Sequence, residues 1–166
     1  MVSGAVIRRG HPVTFIFVAV ISFIVAVIAS TLTTNYNNDG GQTAHLTGSV
    51  RYLTFVGWFN FLAAIVLTVL FLTGKGGILT SVAGHAILVF WMFLFQLAGA
   101  GTITDALGGG VNCSNADLLR YCVSLEALMA FSWISTIALF FALIVIGIVG
   151  AGAIRGGRGT KETLGA

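Results

Sequence analysis

The chain has 166 residues, of which 57% are hydrophobic and 8% are charged, and its formal net charge is +3. A typical soluble domain carries about a quarter charged residues, so these few charges cannot solvate the surface of a soluble domain of this length. Disordered chains are excluded as well, because they are poor in apolar residues and rich in charge. The composition, with a mean hydropathy of +1.02, therefore predicts an integral membrane protein.

Four long segments without charge divide the chain. Without their polar ends they predict membrane-spanning helices at about 13–31, 53–72, 78–100 and 127–151. Each is near or above the roughly 20 residues that cross a hydrocarbon core about 30 Å thick, and a helix satisfies its own backbone hydrogen bonds in lipid. The predicted fold class is an all-α membrane protein, a four-helix transmembrane antiparallel bundle that forms one domain over residues 1–166.

The segments between the spans predict the connections. Polar residues at 33–51 and 101–126 predict loops at one end of the bundle. The short Gly-rich connector at 74–77 requires the second and third helices to be antiparallel neighbours. Residues 152–166 are predicted to form a short basic, Gly-rich tail.

The basic residues predict the orientation. Most of them lie near the N-terminus, in the connector and in the tail, whereas only Arg51 and Arg120 lie in the other loops. Because positive charges favour the cytoplasmic side of a membrane, we expect both termini to be cytoplasmic. A nucleic-acid partner is not expected, since it would need a clustered basic patch.

Two cysteines, Cys113 and Cys122, fall in the loop that we expect to face outside. An oxidising compartment favours a disulfide between them, and closing a loop of about ten residues would stabilise the fold by roughly 2–3 kcal/mol. Two free thiols or half of a metal site are the alternatives, although no His lies nearby in the sequence. Asn112 begins an Asn-Cys-Ser sequon and is a candidate for N-glycosylation, with a chance match as the alternative.

Polar residues within the spans are the candidate functional residues. Asn60, Gln96 and Glu126 are predicted at related depths toward the outer side, where they would form an interhelical network. A small polar cavity or a lipid-headgroup site is the functional alternative. Glu126 is expected to be protonated or paired with Arg51 or Arg120.

His85 is a separate candidate in the third span. A buried ionisable residue in a membrane is a functional candidate by default, whereas the simpler interpretation is a neutral imidazole bonded to a neighbouring helix. No second His, Cys or carboxylate follows it at helical spacing. We therefore expect no metal site and no proton relay.

Small residues four apart predict close helix contacts. They serve either the bundle itself or a homo-oligomer, and we expect an oligomer or other membrane-protein partners. The rows comprise Ser22, Ala26 and Ser30 on the first span, and Ala138, Ala142, Gly147 and Ala151 on the fourth. Recognisable catalytic motifs are missing, so no enzyme activity, no catalytic residue and no cofactor other than a bound lipid or sterol are expected.

Two stretches in the second half of the chain carry a resemblance to a known family. Residues 90–100 read Phe-Trp-Met-Phe-Leu-Phe-Gln-Leu-Ala-Gly-Ala, and residues 125–134 read Leu-Glu-Ala-Leu-Met-Ala-Phe-Ser-Trp-Ile, with a Gly-rich loop and the two cysteines between them. Together with four spans and short termini, this chain resembles the MARVEL-domain tetraspan membrane proteins, especially their small fungal members.

The resemblance implies a non-enzymatic protein of the plasma membrane or of secretory vesicles. It implies roles in membrane apposition, in sterol- and sphingolipid-rich microdomains and in trafficking, with membrane lipids as partners. A small oligomeric channel or carrier and an accessory subunit of a larger membrane complex are the alternative functions. The family supplies no catalytic residues.

Overall fold

A computed structural model describes residues 4–40, 42–73, 82–110, 113 and 119–155. They form four helices, α1 at Gly4–Asp39, α2 at Ala44–Thr73, α3 at Val82–Ala106 and α4 at Cys122–Arg155. Each helix is long and apolar enough to cross a membrane, and these ranges contain no strand. The prediction of an all-α protein with four apolar helices is confirmed. The connector at 74–77, Asn112 and tail residues 156–166 lie outside the described residues.

The helices are longer than the predicted spans. The predicted loop at 33–51 is too long, since α1 continues to Asp39 and α2 begins at Ala44, which leaves only residues 40–43 between the helices. Helix also occupies 101–106 and 122–126 of the second predicted loop. Hydroxyl groups in these stretches bond back to the helix, as when Thr34 donates to the Ser30 carbonyl at 3.0 Å. Polar residues therefore lie within these helices, and the 36 residues of α1 span about 54 Å at 1.5 Å each.

Local signals fix the helix ends. Gly40, at φ +83°, follows α1 in a left-handed conformation, and the Thr43 hydroxyl accepts the Leu46 N–H at 3.2 Å as the N-cap of α2. At the end of α3, Gly108 N–H donates to the Asp105 carbonyl and Gly109 N–H to the Thr104 carbonyl, both at 2.9 Å. These two bonds form a Schellman motif.

The four helices form an antiparallel bundle. α1 packs against α2 and α4, and α3 packs against the same two helices, so α1 and α3 are diagonal. Both Gly4 and Arg155 lie at one end, here called the terminal end. The opposite end, with Asp39, Ala44, Ala106 and Cys122, is called the disulfide end.

The core consists of two apolar clusters separated by polar residues. One cluster, on the side of the terminal end, includes Phe15, Val18, Leu67, Met92 and Leu139. The other, on the side of the disulfide end, includes Leu32, Leu46, Leu53, Ile103 and Leu128. Buried polar residues lie between the two clusters on every helix. They are called the polar layer and comprise Ser22, Asn60, Gln96, Ser132 and Ser135.

The backbones of α1 and α2 approach each other closely at Gly57 and Ala26. A Cβ added to Gly57 would lie 2.7 Å from the backbone nitrogen of Ala26. Ala26 is fully buried, and the Ser30 hydroxyl accepts the indole N–H of Trp58 at 3.1 Å. The small-residue row of α1 therefore serves the packing of the bundle itself.

We predict that Gly57→Ala destabilises the bundle by about 1–3 kcal/mol, because the new methyl group must push two helix backbones apart. Gly48→Ala, also on α2, is the matched control, since an added Cβ there meets nothing within 4 Å. Unfolding of the purified protein in detergent, followed by circular dichroism, measures both. Equal midpoints for the two variants would contradict the close approach.

Candidate functional site

A chain of hydrogen bonds crosses the polar layer. The Asn60 side-chain amide donates to Gln96 Oε1 at 2.9 Å, and Gln96 Nε2 donates to the backbone carbonyl of Ser132 at 3.3 Å. All three residues are fully buried. The chain links α2, α3 and α4 within the hydrophobic interior, where a hydrogen bond between helices replaces contacts that lipid cannot offer.

Several polar atoms of the layer remain outside this chain. The hydroxyls of Ser22, Ser132 and Ser135 and the Asn60 Oδ1 atom are buried and have no hydrogen-bond partner among the described residues. Other helical hydroxyls differ, as Thr136 donates to the Ser132 carbonyl four residues earlier at 2.8 Å. The polar layer therefore contains buried oxygen atoms that could still form hydrogen bonds.

The layer lies deeper than the sequence predicts. Gln96 is ten residues before the end of α3, and Ser132 is ten residues after the start of α4. At 1.5 Å per residue, both lie about 15 Å from the disulfide end of their helices. The predicted position near the outer side assumed shorter helices, and their extension places Asn60 and Gln96 near the middle of the bundle.

Glu126 does not join the polar layer. It lies in the first turns of α4 and is exposed, and its Oε2 atom is 3.6 Å from the Cys113 sulfur. Arg51 instead donates to Asn37 Oδ1 at 2.7 Å, and Arg120 contacts the Asp39 carbonyl at 3.4 Å. The predicted pairing of Glu126 with either arginine is wrong, because α4 begins at Cys122 and leaves Glu126 on its exposed side.

His85 is also separate from the layer. It is fully buried, and its ring packs edge-on against Phe15 with centroids 6.0 Å apart. Gln96 follows it by 11 residues on α3, which is about 16 Å along the helix. The structure therefore brings together Asn60 and Gln96, and leaves His85 and Glu126 on opposite sides of them.

A polar clasp closes the disulfide end. Cys113 and Cys122 form a disulfide with sulfur atoms 2.03 Å apart. Beside it, Tyr121 has a φ of +62°, and its hydroxyl donates to Asp39 Oδ2 at 2.6 Å. These groups, Asp39, Tyr121 and the disulfide, are called the clasp. Its hydrogen bond ties the residue before α4 to the end of α1, and its disulfide ties Cys113 to the start of α4.

The clasp alters the acidity of Tyr121. The hydrogen bond to Asp39 raises the pKa of the Tyr121 hydroxyl, with smaller contributions from burial and from the Asp39 charge, against the opposing charge of Arg120. The disulfide of the clasp was predicted from the sequence, whereas the hydrogen bond between Asp39 and Tyr121 and the polar role of Ser22 and Ser135 were not. No spacing signal links Asp39 to a tyrosine 82 positions away.

Other contacts at the disulfide end join further helix pairs. The Ser49 hydroxyl lies 3.4 Å from the Thr102 carbonyl, and Trp133 donates its indole N–H to Thr104 at 2.9 Å. His45 lies 3.8 Å from Asp105, but these side chains are 55% and 80% exposed. Such an exposed pair contributes little to stability, so the clasp and the hydroxyl contacts hold this end.

An apolar groove lies between α1 and α2 on the outer surface of the bundle. Its cavity has a volume of about 370 Å³, and Val20 and Phe23 of α1 and Phe61 and Ile65 of α2 help to line it. Trp58 packs edge-on against both phenylalanines. The groove presents almost only hydrocarbon and therefore suits an apolar chain or ring.

Within the described ranges, no group of three or more His, Cys, Asp or Glu residues is placed to hold a metal ion. Comparisons of the chain with known protein families, with characterised proteins and with solved structures found no match.

We predict that Asn60→Leu and Gln96→Leu each destabilise the bundle, because each leaves buried polar groups without their partner. The double variant should cost less than the sum of the single variants, with a coupling of about 0.5–2 kcal/mol, the range for hydrogen bonds between membrane helices. A double-mutant cycle of unfolding in detergent measures this coupling. Strictly additive effects would show that the two amides do not interact.

We predict that Asp39→Asn lowers the Tyr121 pKa toward its ordinary value near 10. Because the folded pKa is raised, the stabilisation from this hydrogen bond is fully present below the unfolded pKa of about 10. It is lost as the pH rises through the higher folded value. Tyrosinate absorbance during alkaline titration measures the shift, with Tyr121→Phe to assign the signal and Asp105→Asn as the control. A titration unchanged by Asp39→Asn would contradict the clasp.

Proposed function

We propose that this protein is a non-enzymatic, multi-pass membrane protein that organises membrane microdomains or trafficking through lipid and helix contacts. The observation that supports this most is the apolar outer surface on all four helices. Large side chains point outward, as Phe55 on α2, Ile87 on α3 and Phe140 on α4 are about half exposed or more. A bilayer is the solvent that such a surface requires, so most contacts of this protein are with lipids or other helices.

The groove between α1 and α2 is the proposed lipid contact. Its lining residues lie within the apolar part of both helices, so in a bilayer the groove meets lipid. A sterol ring system or one acyl chain fits its apolar lining. This supports binding of lipids, and the resemblance to MARVEL proteins favours sterol or sphingolipid.

The polar ends support the proposed orientation. The disulfide lies at the end opposite the chain termini, and disulfides persist on the oxidising side of a membrane. We therefore propose cytoplasmic termini and a plasma-membrane or secretory-vesicle location.

The small residues of α4 support a homo-oligomer. Ala142 is buried within the bundle, whereas Gly147 and Ala151 are exposed, and a Cβ on Gly147 would meet nothing within 4 Å. This part of the row is thus available to a second helix. We propose it as the contact between copies.

The polar layer favours a channel or carrier as the second candidate function. Against it, the two apolar clusters close the layer on both sides, so the polar residues do not continue along the bundle. A transport path would need polar groups or a cavity through both clusters.

We predict that the reconstituted protein concentrates in the sterol- and sphingolipid-rich phase of giant vesicles with two lipid phases. Val20→Trp fills the groove and should reduce this enrichment. Ile137→Trp on α4 is the matched control, because both native side chains are 52% exposed but only Val20 lines the groove. Fluorescence of the labelled protein in each phase measures the effect.

Two results would contradict the proposal. Equal distribution of the wild type between the phases would remove the lipid-organising function. Selective, saturable solute flux in the same vesicles would instead establish the channel or carrier.

A further inference from the structure

We propose that the polar layer is a hydration site, in which water bound inside the bundle bridges Asn60 Oδ1 and the hydroxyls of Ser22, Ser132 and Ser135. These four oxygen atoms are buried and lack a hydrogen-bond partner among the described residues. They come from three helices, α1, α2 and α4, and their residues lie between the two apolar clusters, as does Gln96 of α3, which bonds to Asn60 and to the Ser132 carbonyl. The site goes beyond the proposed function, since it does not depend on lipid binding.

The layer contains three buried serine hydroxyls without a hydrogen-bond partner among the described residues, and Tyr36 and Thr47 carry such hydroxyls outside it. Elsewhere a hydroxyl on these helices typically donates to the carbonyl four residues earlier, as Thr68 does to Ala64 at 2.7 Å and Thr104 to Ala100 at 2.7 Å. Ser22, Ser132 and Ser135 do not make this bond. Three hydroxyls of the same layer are thus left for another partner.

Water has the chemistry that these atoms need. A buried polar group without a hydrogen bond is costly, and buried water typically makes two to four hydrogen bonds to such groups. The layer offers one carbonyl acceptor in Asn60 and three hydroxyls that can donate or accept. A water molecule can satisfy several of them together.

The other ligand classes fit poorly. The layer residues are neutral, and the exposed carboxylate of Glu126 lies six residues before Ser132 on α4, so a buried cation would have no opposite charge. A lipid headgroup would require access, whereas each of the five layer residues is fully buried. Water is therefore the ligand that fits the polar layer.

Bound water would also complete the connection between the helices. The Asn60–Gln96–Ser132 chain joins α2, α3 and α4, whereas Ser22 on α1 makes no direct hydrogen bond to it. Water is the group that would join α1 to the layer. The apolar clusters on either side confine it there.

Solid-state NMR of the full chain in lipid bilayers tests the site directly. Polarisation transferred from water protons should reach the side-chain amides of Asn60 and Gln96 faster than the backbone amides of Met92 and Leu128, which lie in the two apolar clusters. Transfer that is no faster to the layer than to the clusters would overturn the proposal.

Substitution of the serines gives a second test, because the sign of the effect differs between the two cases. If water bonds to Ser135, then Ser135→Ala lowers the unfolding midpoint in detergent, as does the control Thr68→Val, which removes a directly bonded hydroxyl. If the hydroxyl has no partner, Ser135→Ala raises the midpoint.

The same unfolding measurement in sodium chloride and in choline chloride of equal ionic strength distinguishes bound water from a bound cation. Stabilisation by sodium alone would overturn the proposal in favour of a cation.

Discussion

The structure depends on one constraint, that backbone N–H and C=O groups without access to water must form their hydrogen bonds within the protein. Inside a bilayer, a peptide group has only other protein groups to bond with, so each crossing segment must be a helix. Once four apolar helices exist, lipid competes with every apolar contact between them. What holds them together is therefore close packing, as where Gly57 meets Ala26, and hydrogen bonds, as between Asn60 and Gln96.

The same constraint explains how much of the fold was predictable. Charge along a span is so costly that four charge-free segments suffice to count the helices. The ends were not predictable in this way, because the rule stops at the membrane surface. Beyond it, α1 and α2 continue through polar residues such as Thr34 and Ser49, whose hydroxyls bond to the carbonyl four residues earlier.

The candidate site was predictable only where the residue type is rare in a membrane. Asn60 and Gln96 are recognisable because an amide in an apolar span needs a partner. Ser22 and Ser135 are not recognisable in this way, since a serine in a span commonly bonds to its own helix. Only the structure shows that these two hydroxyls do not make that bond. Glu126 was misassigned because its face on α4 depends on packing, in which Leu125 and Leu128 are buried and Glu126 is exposed.

Contacts between apolar residues alone define poorly the register of a helix along its neighbours. A helix that slides by one turn exchanges one set of Leu and Val contacts for another at little cost, whereas it would separate Asn60 from Gln96 and leave both amides unpaired. The polar layer therefore fixes the register of α2, α3 and α4, and the clasp between Asp39 and Tyr121 fixes that of α1 and α4. With the register set from inside and from one end, the apolar outer surface is not needed to define how the four helices pair.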